Sequence, residues 1–111
     1  MSQGLIDKKC LPCEGGVAPL ALDAASKLME ALDPAWSISA DNKQISREFG
    51  FPAYAGTMQF VNAVAQLAEA EDHHPDLEVS YGKCIVHYTT HAINGLSEND
   101  FICAAKIDRL T

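Results

Sequence analysis

Residues 54–91 read YAGTMQFVNAVAQLAEAEDHHPDLEVSYGKCIVHYTTH, and the change of period inside them decides the fold. From 54 to 71 the apolar residues recur at helical spacing. Met58, Val61, Ala65 and Ala68 make one stripe, and Phe60, Val64 and Leu67 make a second beside it. Pro75 cannot continue a helix and pushes His74 toward extended backbone, so the helix stops at Asp72 or His73. Leu77, Val79 and Tyr81 then alternate as a strand, Gly82-Lys83 turns, and residues 84–91 return as its partner. A helix followed by a tight hairpin indicates an antiparallel sheet.

The flanks repeat this grammar. Pro19 opens a helix-favouring run in which Leu20, Ala24, Leu28 and Leu32 fall on one face beside Ala21, Ala25 and Met29, ending near Pro34. Residues 36–39 alternate as a strand, Asp41-Asn42-Lys43 is turn chemistry, and Ile45 to Phe51 forms the partner strand with Arg47 as the one charge in its apolar series. After Asn94-Gly95, Ser97 and Asp100 match a capping box, so a last helix runs to about Arg109. Residues 1–17 show no period and read as irregular. The order α-β-β-α-β-β-α predicts an α+β fold: a four-stranded antiparallel sheet with helices packed on one face. All 111 residues fit one domain.

Composition narrows the function. A net charge of −7, with Lys and Arg scattered, gives no basic face for direct nucleic-acid binding. No apolar run is long enough to span a membrane, and Met1 to Cys10 holds no signal-peptide core, so a cytoplasmic chain with reduced cysteines is expected. Cys10 and Cys13 form a C-x₂-C without a second half-site. Zinc binding and thioredoxin-like redox chemistry are therefore not expected, and Cys84 and Cys103 read as small buried hydrophobes.

The segment Glu69 to Asp76 carries the chemistry. Glu69, Glu71 and Asp72 crowd a helix C-terminus, where the dipole disfavours anions. The same dipole and the same acids favour imidazolium on His73 and His74, as a tuned acid–base site requires. A third histidine, His91, ends the fourth strand, and the rim of an α+β domain can bring it to the same corner. A His-His-Pro corner on a surface is also commonly inert, and these residues alone leave both readings open. His87, mid-strand and without acids beside it along the chain, reads as packing or solvent-facing.

Glu69, His73, His74, Pro75, Tyr81, His91 and Asp100 together resemble the motif of the pterin-4a-carbinolamine dehydratases. Cys10-x-x-Cys13-Glu14-Gly15-Gly16, Trp36, Phe49-x-Phe51, Thr90-His91 and Gly95-Leu96 extend the likeness over nearly the whole chain. Ala92 and Asn94 depart from the usual loop residues without touching the histidines. The resemblance implies loss of water from a 4a-hydroxytetrahydropterin to give quinonoid dihydropterin, in support of aromatic amino acid hydroxylases. It implies His73 and His91 as the acid–base pair and His74 as a substrate contact. Glu69 and Asp100 would orient the imidazoles, with Trp36 beside the pterin or in the core. It implies no metal, no organic cofactor, and a homotetramer, with an aromatic amino acid hydroxylase as a possible protein partner. The rival class, a non-catalytic module bridging a transcription factor or another enzyme, stays open, because the wide apolar face of helix 54–71 suits any subunit contact.

Overall fold

The computed structural model describes residues 5–10 and 18–111. Of the stretch 1–17 expected to be irregular, residues 1–4 and 11–17, including Cys13 and Gly15-Gly16, lie outside the described residues. The elements are α1 (Leu22–Met29), β1 (Ser37–Ile38), β2 (Ile45–Gly50), α2 (Tyr54–Glu71), β3 (Asp76–Ser80), β4 (Lys83–Tyr88), a 3₁₀ turn (His91–Ile93) and α3 (Glu98–Asp108). The α-β-β-α-β-β-α order is the one the sequence predicts.

The four strands form one antiparallel sheet in the order β1-β2-β4-β3. Each hairpin pairs locally, and the two are joined along β2 and β4, from Ile45 opposite Tyr88 to Gly50 opposite Lys83. Alternation then sorts the side chains. Ile45, Phe49, Cys84, Val86 and Tyr88 are buried under the helices, while Ser46, Glu48, Ile85 and His87 take the other face. The core is closed by Phe60 and Val64 of α2 and by Phe101, Ile102, Ala105 and Ile107 of α3. Rings from β2, from the residue after it and from α2 meet there, with Phe49 and Phe60 centroids 4.5 Å apart and Phe51 and Phe60 5.3 Å apart.

α2 has the limits its periodicity predicts, and its inner face is Thr57, Phe60, Val64 and Ala68. Ala68 thus belongs with Phe60 and Val64 and not with Met58 and Ala65. α1 is shorter than its pattern. Leu20 is held extended by its N–H bond to the Leu96 carbonyl (2.8 Å), so the helix starts at Leu22. Its buried side is Ala25 with Leu28, and Ala24 is exposed. Arg47 lies on β2, one of the two central strands. Its guanidinium covers the Phe49 ring at 4.3 Å and binds Asp108 of α3 at 2.7 Å. Trp36 Nε1–H donates to the same carboxylate oxygen at 2.7 Å, so one acid at the end of α3 gathers both hairpin strands.

The turn joining β3 to β4 is locked to the end of β2. Phe51 N–H donates to the Gly82 carbonyl (2.8 Å), and Thr57 Oγ1–H of α2 donates to the Tyr81 carbonyl (2.8 Å). A Cβ on Gly82 would lie 2.8 Å from the Phe51 carbonyl oxygen, a backbone atom that cannot swing aside. Gly82→Ala is expected to lower stability by about 1–3 kcal/mol through overpacking, seen as a lower urea midpoint. An unchanged midpoint would mean that this junction is not closed in solution.

Candidate functional site

α2 ends where its backbone turns left-handed. Asp72 has φ 52° and ψ 41°, and its N–H returns to the Ala68 and Glu69 carbonyls. His73 N–H also bonds the Ala68 carbonyl, at 3.1 Å. This closure aims the chain across the sheet toward β3 and sets His73 against Tyr88 of β4. The two rings stack at 5.3 Å and 12°, and Tyr88 O–H donates to the His73 carbonyl at 3.2 Å.

The imidazole meets a buried carboxylate. His73 Nε2 lies 2.6 Å from Asp100 Oδ1, with the Asp100 side chain at 0% exposure and His73 at 12%. Asp100 Oδ2 accepts from Thr90 Oγ1–H at 2.8 Å and from Ser97 N–H at 2.9 Å. The second of these is one half of the capping box that starts α3. One carboxylate therefore caps a helix and orients an imidazole. It accepts from Nε2–H, leaving Nδ1 as the nitrogen not committed to it.

Burial alone would pull the His73 imidazolium down. The hydrogen bond to Asp100 and the charge of that carboxylate outweigh burial, with smaller help from Cys103 and Asp72, so His73 is held above the ordinary histidine value. Glu71 shows the opposite balance. Burial pushes its carboxyl up, but Lys106 Nζ at 2.6 Å and Cys10 N–H at 2.9 Å hold it below the usual carboxylate range.

His73, His74 and His91 line one cleft of 430 Å³, together with Cys10, Glu71, Thr90 and Asn99. His91 is not the last residue of β4, which ends at Tyr88. It opens the 3₁₀ turn and is 76% exposed, with Asp76 Oδ2 3.8 Å from its Nε2. The loop bearing it is closed at its base by two backbone bonds, Thr90 N–H to the Gly95 carbonyl (2.9 Å) and Gly95 N–H to the Thr90 carbonyl (3.4 Å). His74 Nε2 is 2.6 Å from Glu69 Oε2, both side chains exposed. Of the expected site residues, Trp36 alone is remote from the cleft. It is buried, set edge-on against Phe49 and bonded to Asp108.

The crowded acids of α2 divide their tasks: Glu69 holds His74, Glu71 binds Lys106, and Asp72 makes the left-handed cap. His87 also has an acid, contrary to its reading along the chain. Its Nε2 bonds Glu78, and its Nδ1 lies 2.6 Å from Ser46 Oγ. Both partners come from neighbouring strands, so linear spacing could not reveal them. Cys10 and Thr90 also line the cleft, and neither carries an acid–base signal along the chain. Only the Thr90-His91 dipeptide hinted at Thr90. Among the described residues, no group of three or more His, Cys, Asp or Glu side chains has the arrangement to hold a metal ion.

Comparison with known proteins extends these observations. The family model for pterin 4 alpha carbinolamine dehydratase matches residues 18–110. A relative from Nitrosomonas eutropha, provisionally named a pterin-4-alpha-carbinolamine dehydratase, is 59% identical over 106 residues, 96% of this chain and 92% of its own. One of the same provisional name from Legionella pneumophila strain Paris is 50% identical over 110 residues, 99% of this chain and 97% of its own. The crystal structure of a transcriptional coactivator/pterin dehydratase from Brucella melitensis matches with a TM-score of 0.78 at 29% identity, covering 83% of this chain and 97% of that one. A pterin dehydratase-like protein identified as a RuBisCO assembly factor in the alpha-carboxysome matches with a TM-score of 0.60 at 25% identity, covering 68% and 88%.

The His73–Asp100 contact makes folding depend on pH. His73 binds its proton more tightly when folded. The contact's full contribution is therefore present below the ordinary histidine value and is lost as pH rises through the raised one. Asp100→Asn keeps an acceptor for Thr90 and Ser97 but removes the charge. By NMR titration the His73 value should fall in this variant, because burial is then opposed only by weaker charges. The stability difference between the two proteins should shrink as pH rises through the wild-type value. A His73 titration unchanged in Asp100→Asn would contradict this account.

Proposed function

The chain belongs to the pterin 4 alpha carbinolamine dehydratase family, and from that premise we propose that its histidine cleft removes water from a 4a-hydroxytetrahydropterin. The observation that carries the reading is His73, held by buried Asp100 and lining one cleft with His74 and His91. Dehydration breaks the C4a–O bond, removes the proton from N5 and forms a C4a–N5 double bond. The departing hydroxide needs a proton, and the N5 proton needs an acceptor.

His73, held toward imidazolium, is the proton donor to the hydroxyl through Nδ1, while Asp100 keeps the charged ring in place. His91, open to the cleft, receives the N5 proton. His74, braced by Glu69, contacts the substrate. The product is the quinonoid dihydropterin, which fits a role in recycling the pterin of aromatic amino acid hydroxylases in the cytoplasm. No metal or organic cofactor takes part in this scheme.

The test is dehydration of a synthetic 4a-hydroxytetrahydropterin, followed spectroscopically against the uncatalysed rate. His73→Ala and His91→Ala should each lower kcat by roughly 10²–10⁴-fold. His74→Ala should act mainly on KM, and EDTA should leave the rate unchanged. Folded His73 and His91 variants with near-normal rates would overturn the assignment. A wild-type chain without activity would favour the rival reading, a binding module.

We also propose a homotetramer with α2 at a subunit contact. Phe60 and Val64 are committed to the core, so the face available to another copy is the side bearing Ala65, which is exposed, with Met58 partly so. Ala65→Glu should lower the assembly state in sedimentation velocity without unfolding the chain. A wild-type protein that sediments as a stable monomer at micromolar concentration would refute this.

A further inference from the structure

The N-terminal stretch meets α3 through sulfur. Cys10 Sγ lies 3.3 Å from Cys103 Sγ, and Cys10, Cys84 and Cys103 are all free thiols. Cys103 is fully buried on α3, one turn after Asp100, and behind the cleft. Cys10 is half-buried and lines the cleft itself. Its position is fixed from two sides. Its N–H donates to Glu71 Oε1 at 2.9 Å, and its thiol is 3.7 Å from the Asn99 carbonyl oxygen. Cys10 therefore borders the cleft, and the Cys103 sulfur lies 3.3 Å from its own, in the core.

We propose that Cys10 and Cys103 form a redox-active dithiol that reduces small hydroperoxides entering the cleft and closes to an intramolecular disulfide. This pairing is not the C-x₂-C of Cys10 and Cys13, whose spacing gave no expectation of redox chemistry. A disulfide bond is about 2.05 Å long, so the sulfurs at 3.3 Å need to close by only about 1.2 Å.

Two thiols in contact share a proton, so the first leaves more readily than the second and both titrations belong to the pair. Cys103 sits below the ordinary thiol value. The hydrogen bond from Cys10 lowers it most, burial opposes this, and Tyr88 and His73 add to the lowering. Cys10 is raised correspondingly, first by the same hydrogen bond and then by burial. The resting thiolate is thus on Cys103, and passage of the Cys10 proton to it across the 3.3 Å contact generates the nucleophile on Cys10, the sulfur whose residue borders the cleft.

Each step balances. The Cys10 thiolate attacks one oxygen of the peroxide. The O–O bond breaks, and the leaving oxygen departs as water or alcohol with a proton, giving a sulfenic acid on Cys10. The Cys103 thiolate then attacks the Cys10 sulfur. The S–O bond breaks, and hydroxide leaves with a proton as water. In sum, two thiols and one hydroperoxide give one disulfide, one water and one alcohol, or a second water when the oxidant is hydrogen peroxide. Two electrons pass from sulfur to the peroxide. An external thiol restores the pair.

The chemistry is independent of the pterin reading, because its readout is covalent mass. The full chain is treated with equimolar hydrogen peroxide at neutral pH, capped with N-ethylmaleimide and digested with trypsin without reduction. A Cys13→Ser/Cys84→Ser chain is treated in parallel. The expected result in both is an intramolecular link between Cys10 and Cys103, reversed by dithiothreitol. Cys103→Ala, or Cys103→Ser if the first does not fold, should leave Cys10 as a sulfenic acid captured by dimedone. A Cys10–Cys13 link, a link between chains, or a folded wild type whose two thiols stay unmodified would each overturn the proposal.

Discussion

The structure depends on one buried carboxylate. Asp100 is removed from water and receives hydrogen bonds from three parts of the chain: the end of α2, the loop after β4 and the N-terminus of its own helix. A buried charge without partners would cost several kcal/mol, so each donor is needed for the others to be tolerable. Removing any one of them leaves a less satisfied anion in the core. For this reason the site is not an ornament on a finished fold. The carboxylate that starts α3 through one oxygen orients His73 through the other.

A second acid does the same work at the other end of α3. Asp108 draws in Arg47 from β2 and the indole of Trp36, and so fixes the helix along the sheet. Between these two carboxylates α3 presents an almost wholly buried surface, from Asn99 to Ala105 and again at Ile107. The composition of α3 explains why its period is faint. A helix buried on nearly all sides shows no polar stripe, and its identity comes from its capping box and its length.

Most of the fold was legible along the chain because it rests on local chemistry. The limits of α2 follow from its stripes and from Pro75, and the start of α3 follows from Ser97 and Asp100. Non-local contacts were not legible. The shortening of α1 follows from a bond between Leu20 and Leu96, and the acid beside His87 stands on a neighbouring strand. The site divides in the same way. His73 and His74 announce themselves beside Pro75, and His91 through a place read as the end of the fourth strand, which in fact closes at Tyr88. Trp36 entered the site only through the family resemblance, which left it beside the pterin or in the core, and its burial and its bond to Asp108 place it in the core. Cys10 and Cys103 are 93 residues apart, and nothing local marks them as a pair.

The loop carrying His91 combines an exposed side chain with a fixed base. Thr90 and Gly95 exchange backbone hydrogen bonds, and the Thr90 hydroxyl is tied to Asp100 beneath them. The imidazole is exposed, with Asp76 3.8 Å from its Nε2, while the base of its loop is closed by the Thr90–Gly95 bonds. Turning the ring needs only a rotamer change, on the nanosecond scale, whereas opening the loop would require breaking the start of α3 as well. In native-state deuterium exchange, the Thr90 amide should open together with Ser97 as one unit, although it sits next to one of the most solvent-exposed histidines in the chain.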